Sequence, residues 1–188
     1  MNGTTDKNIK IEEYKLLREE IKYFMEKDTT LFTCLFSSVT AVLFFAIEWN
    51  LPESVLLAFL IIIPISGKLA YHQKEMAKIS AYMQKYLEPS TGIQWERFLV
   101  QLSEKPDRPR TARYLKFSES MLMSIASFVV YVYLAYKNNL PCDNSRLFWT
   151  EMIILLALFI WSILISKEIY KIKQYKTDYL TIMGNIRL

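Results

Sequence analysis

The sequence predicts an all-α, polytopic membrane protein: four transmembrane helices arranged as two hairpins, with amphipathic helical extensions in the cytoplasm. Three observations lead there. Thr29 to Ile47 are nineteen consecutive uncharged residues, which at ~1.5 Å per residue span a hydrocarbon core about 30 Å thick. Apolar runs also occupy Ser54 to Gly67, Ser120 to Tyr136 and about Leu147 to Ser166, so the 52% hydrophobic content is gathered in blocks and the charges lie almost wholly between them. Finally, 21 of the 23 Lys and Arg residues fall in segments that this threading puts on one side. Cationic loops are retained in the cytoplasm, so both termini are expected there. A single water-soluble core is the weaker reading of such a distribution.

Taken in order, Asn8 to Asp28 carries Ile11, Tyr14, Leu17, Ile21 and Phe24 at spacings of three and four, the stripe of an amphipathic helix. No Gly or Pro occurs between Thr4 and Leu51. The helix can therefore run unbroken into the first span, or Asp28, Thr29 and Thr30 can cap a new helix and insert a bend. The second span is lengthened by Leu69, Ala70 and Tyr71, with Glu53 and Lys68 able to snorkel toward headgroups. Pro64 removes a backbone donor within it and predicts a kink.

His72 marks the cytoplasmic end of that span. Met76, Ile79, Met83 and Tyr86 continue the stripe to Leu87, where Glu88-Pro89-Ser90-Thr91-Gly92 is expected to stop it. Ile93 to Leu102 sets Trp95, Phe98, Leu99 and Leu102 on one side. It reads as a short helix, either lying in the membrane interface or packed against the protein's own stalks. Glu104 to Arg110, with two prolines and five charges, is a linker. After the fourth span, Ile169, Ile172, Tyr175 and Tyr179 carry the helical repeat into the tail. The expected organisation is a cytoplasmic helix (1–28), hairpin (29–71), cytoplasmic helix and linker (72–116), second hairpin (117–166) and helical tail (167–188).

Most catalytic chemistry is excluded. His72 is the single histidine, no HExxH or CxxC occurs, and an Arg-x-x-x-x-His nuclease pattern fails because residue 67 is Gly. The four glycines, Gly3, Gly67, Gly92 and Gly184, are too scattered to cradle a phosphate. Cys34 and Cys142 read as ordinary residues, and the charged stretch Met1 to Asp28 is not a signal peptide. No catalytic residue, cofactor, metal or direct nucleic-acid contact is expected; the net charge of +4 reports topology and some attraction to anionic lipid.

What remains is polar content within the spans. Glu151 and Glu119 are the candidate pore-lining or polar intramembrane residues, because ionisable groups at membrane depth face protein or water. The plain alternative is hydration near an interface, favoured for Glu119 by Ser118 and Ser120 beside it. Thr33, Ser37 and Ala41, and likewise Ser120 and Ser124, repeat every four residues. Small side chains let helices approach closely, within one chain by default or between chains. The cytoplasmic stripes also need burial, which suggests a homo-oligomer held by its coils.

The charged helix Glu12-Glu13-Tyr14-Lys15-Leu16-Leu17-Arg18-Glu19-Glu20-Ile21 ahead of a hairpin, followed by Tyr82-Met83-Gln84-Lys85-Tyr86-Leu87-Glu88-Pro89 and Gly92-Ile93-Gln94-Trp95-Glu96, resembles small bacterial multi-pass transmembrane effectors of antiphage defence systems of the retron-linked or cyclic-nucleotide-linked type. The resemblance implies a non-enzymatic effector that oligomerises and disrupts the inner membrane in abortive infection. It also implies a trigger arriving through a cytoplasmic protein or ribonucleoprotein partner. The alternative is a membrane anchor or regulatory subunit of a cytoplasmic complex, without pore activity. A small transporter is disfavoured, because Pro64 has no matching helix break in the second half.

Overall fold

The computed structural model describes residues 2–98, 119–138 and 145–185, and every element in them is helical. The order is α1 (Asn2–Glu48), a 3₁₀ turn (Pro52–Ser54), α2 (Val55–Tyr82), a π-helical turn (Met83–Leu87), α3 (Glu88–Thr91), α4 (Glu119–Lys137), α5 (Ser145–Tyr170) and α6 (Ile172–Asn185). Four helices are long and apolar enough to cross a membrane. The chain divides into two compact units, one of residues 1–28, 71–116 and 170–188, the other of residues 29–70 and 117–169. The expected linker Glu104–Arg110, the loop residue Cys142, and Leu99 and Leu102 of the short helix lie outside the described residues.

In the apolar unit, α1 and α2 meet through Leu35, Val39, Ala58 and Ile62. A second cluster joins Ala46, Val55 and Phe59 to Tyr131, Leu134 and Ala135 of α4 and to Phe148 and Leu155 of α5. The inward row of α1 is thus Leu35, Val39 and Ala46. Thr33, Ser37 and Ala41, expected by default to pack within the chain, are exposed. Positions two apart on a helix point about 160° away from each other, so burying the branched row turns the small row outward.

The connection from α1 to α2 is fixed by the backbone. Asn50 takes φ 55°, a left-handed conformation that Asn tolerates better than other side chains. Its N–H donates to the Ile47 carbonyl at 3.3 Å, and the Leu51 N–H to the Ala46 carbonyl at 3.0 Å. That pair of bonds is a Schellman ending, which satisfies carbonyls at the helix terminus. The Asn138 amide donates to the Asn50 carbonyl at 2.8 Å, tying the end of α4 to the same turn. α2 passes through Pro64 as one continuous helical element.

In the polar unit, Tyr14, Met83 and Leu87 form the core, flanked by Leu17, Ile21, Ile79, Tyr82 and Ile93. The α1 stripe therefore meets the stripe beyond α2. α1 is unbroken from Asn2 to Glu48, which decides between the two readings of Asp28–Thr30. Asp28 does not cap a helix there; its carboxylate sits 2.7 Å from His72 Nδ1 and accepts from the Gln73 amide at 2.8 Å.

The helix ends within Glu88–Gly92 as expected, but it reaches that end through a π turn rather than as regular α-helix. The π turn puts Pro89 in the first turn of α3, where its missing N–H leaves nothing unsatisfied. α3 then ends at Gly92, whose φ of 83° is left-handed, with its N–H donating to the Glu88 carbonyl at 3.0 Å. The tail likewise departs from one continuous helix, since Lys171 interrupts it between α5 and α6.

Candidate functional site

The apolar unit carries a polar seam between α4 and α5. Ser120 Oγ lies 3.1 Å from Ser166 Oγ, and Ser124 Oγ lies 2.5 Å from Ser162 Oγ. All four side chains are buried. Ser124 also donates back to the Ser120 carbonyl at 2.8 Å, and Ser127 to the Met123 carbonyl at 2.9 Å. Serines four apart on antiparallel helices meet as pairs, with small side chains that allow close backbone approach.

Further along the same interface the Tyr131 hydroxyl donates to Glu151 Oε2 at 2.9 Å. Tyr131 is buried in the core while Glu151 is half-buried. Glu151 therefore has a protein donor on its carboxylate. Glu119 opens α4. Ser66 on α2 is buried with no hydrogen-bond partner for its hydroxyl among the described residues.

The polar unit holds a cluster that the sequence did not single out. The Glu96 side chain, 4% exposed, accepts from Ser80 Oγ of α2 at 2.5 Å and from Lys176 Nζ of α6 at 3.0 Å. Arg18 of α1 reaches the other carboxylate oxygen at 3.3 Å. One side chain thus ties together three segments distant in sequence. Glu88, also buried, accepts the Glu96 N–H through Oε1 at 2.5 Å, while its Oε2 lies 3.7 Å from Arg97 Nε with no hydrogen bond among the described residues. Two carboxylates are sustained in this small core because Arg18, Arg97 and Lys176 surround them.

Two phenols border the cluster. Burial pushes the Tyr14 hydroxyl above the usual phenol range, opposed by Arg18 and reinforced by Glu96 and Glu88. Tyr82 is raised chiefly by its 2.8 Å hydrogen bond to Glu13 and then by burial. Both are held neutral, Tyr82 as a donor to Glu13 and Tyr14 with no partner for its hydroxyl among the described residues, which does not suit either to nucleophilic attack. Among the described residues no three His, Cys, Asp or Glu side chains gather to hold a metal ion.

Glu96 escaped the sequence reading because its neighbours misdirect. Residues 95–98 make one helical turn with Glu96 inward and Trp95 and Phe98 outward, 44% and 52% exposed. Arg18 stacks over the Trp95 ring at 5.6 Å while it binds Glu96. No repeat marks it, because the single helical turn of residues 95–98 is too short to fix which side faces inward. Comparison with protein-family models, curated proteins and solved structures finds no match for this chain.

Proposed function

We propose that the chain is a non-enzymatic effector of a bacterial antiviral, abortive-infection system, which oligomerises and disrupts inner-membrane integrity when a cytoplasmic partner triggers it. The observation that carries the reading is the set of four helices long and apolar enough to cross a membrane, with the Glu151 carboxylate seated among them on Tyr131. In this reading the four helices form two transmembrane hairpins with both termini in the cytoplasm, supported by the placement of 21 of 23 cationic residues. The polar unit is then the cytoplasmic part that receives the trigger. The exposed row Thr33, Ser37 and Ala41 offers a close-approach surface for a neighbouring copy. Inducible expression with a membrane-potential dye tests the reading. The potential should collapse on triggering and should be spared by Glu151→Gln; a potential that stays intact throughout would refute it.

A second reading, a membrane anchor for a cytoplasmic complex, is favoured by one feature. Ile9, Leu16 and Tyr23 repeat every seven residues along α1, all exposed, the spacing at which a partner helix docks. Under that reading Glu151→Gln is silent, whereas charge at this row abolishes partner capture.

A further inference from the structure

In the polar unit α1 presents two faces of opposite character. Tyr14 is buried, with Leu17 and Ile21 packed beside it. On the other side Ile9, Leu16 and Tyr23 stand 61%, 66% and 56% exposed. At ~100° per residue Leu16 lies about 160° around the axis from Tyr14, so seating one in the core turns the other outward. The exposed row runs about 21 Å along the helix.

The charges around that row are of one sign. Asp6, Glu12, Glu13, Glu19, Glu20 and Glu26 all fall within roughly 80° of Leu16 on the helix surface, and of the cations between Asp6 and Asp28 only Lys27 does. Lys15 and Lys22 sit further round and reach back to Glu12 at 3.8 Å and to Glu26 at 3.7 Å. Both are exposed pairs of the kind that contribute little, so an incoming cation can displace them. The row is an apolar strip with an acidic border, in a chain whose net charge is +4.

That border discriminates among occupants. Anionic lipid headgroups and nucleic-acid phosphates are repelled by it. A second copy pairing two-fold through the same face would set Glu against Glu. A helix with apolar residues every seven positions and Lys or Arg beside them matches both the strip and its border. We infer that the Ile9, Leu16 and Tyr23 face of α1 docks a basic amphipathic helix of a partner protein. The inference rests on the docking row of the anchor reading above and adds the chemistry of what docks there.

A synthetic helical peptide with Leu every seven residues and Lys beside each Leu, and its twin with Glu in place of Lys, test it by titration against the full-length protein in neutral detergent micelles, with empty micelles as the blank. The Lys peptide should bind about ten-fold tighter or more than its twin, and more weakly as salt is raised. Leu16→Ser should weaken the Lys peptide by about ten-fold. Glu19→Lys combined with Glu20→Lys should reverse the preference between the twins, which a purely structural role for those carboxylates does not produce. Equal binding of the twins, with Leu16→Ser still weakening both, would overturn the charge inference and leave the docking row intact. Leu16→Ser without effect would overturn both. Differently tagged copies whose mutual capture is lost in Leu16→Ser would also overturn the inference, by placing a second copy on this face.

Discussion

Replacing Glu96 with Gln keeps the shape of the side chain and removes the charge on which Arg18, Ser80 and Lys176 converge. The cost can be built from those three contacts. Hydrogen bonds to a charged group contribute about 1.5–3 kcal/mol and neutral ones about 0.5–1.5, so each converted bond loses roughly 1 kcal/mol. Arg18, partly exposed, recovers hydration and is discounted, whereas the Lys176 side chain is only 16% exposed and stays poorly solvated. The sum is about 2–3 kcal/mol, below the ~3–5 kcal/mol of deleting one partner of a buried pair outright. Native-state proteolysis of the polar unit reads that as an opening equilibrium raised roughly 30- to 150-fold. A Glu96→Gln protein cleaved at the wild-type rate would refute the assignment of Glu96 as the tie between α1, α2 and α6.

Trp95→Ala and Phe98→Ala should each change the same opening equilibrium by no more than ~0.5 kcal/mol, because both rings point outward; a loss comparable to that of Glu96→Gln would mean they are packed. In the apolar unit, Ser124→Ala or Ser162→Ala alone should cost about 0.6 kcal/mol in a detergent-unfolding titration, and Ser124→Leu clearly more, since the paired hydroxyls mark a close approach of α4 and α5. Tyr14→Phe should be neutral or stabilise by up to ~1 kcal/mol in the proteolysis assay, because the buried hydroxyl it removes has no partner among the described residues. Tyr14 and Tyr82 are raised in the folded state, so their contribution is complete below the ordinary phenol value of 10.0 and declines as pH climbs through their folded values. Opening of the polar unit should therefore increase above that pH, and by less in Tyr82→Phe.

The four apolar helices were legible because length and absence of charge suffice to define them, and neither depends on which neighbours they meet. The stripe from Ile11 to Phe24 was legible for a similar reason, since a helix with one apolar side has only one side to bury. Periodicity does not, however, choose between two rows of one apolar helix. Thr33, Ser37 and Ala41 repeat as regularly as Leu35 and Val39, and the larger row faces inward because it fills the space against Ala58 and Ile62. At Trp95 a single helical turn is too short for any repeat to fix its direction, so aromatic character suggested the face that the structure turns outward. Glu88–Gly92 reads as a stop and the helix does end there, at Gly92, with Pro89 accommodated in the first turn of α3. The residues themselves do not announce a π turn, which admits proline by widening the turn before it.

The π turn stores one surplus residue relative to an α-helix, and that surplus sets the phase of everything after it. Were Met83–Leu87 to tighten to regular spacing, the chain from Glu88 onward would swing about 100° around the axis, carrying Glu88 and Glu96 together away from Arg18 and Ser80, which lie before the turn. Deleting a single amino acid from this stretch would remove the surplus itself and leave the residues after it near their present phase, whereas inserting one would not. The acidic centre of the unit therefore depends on a counting irregularity upstream, and substitutions there would be felt by residues they never touch.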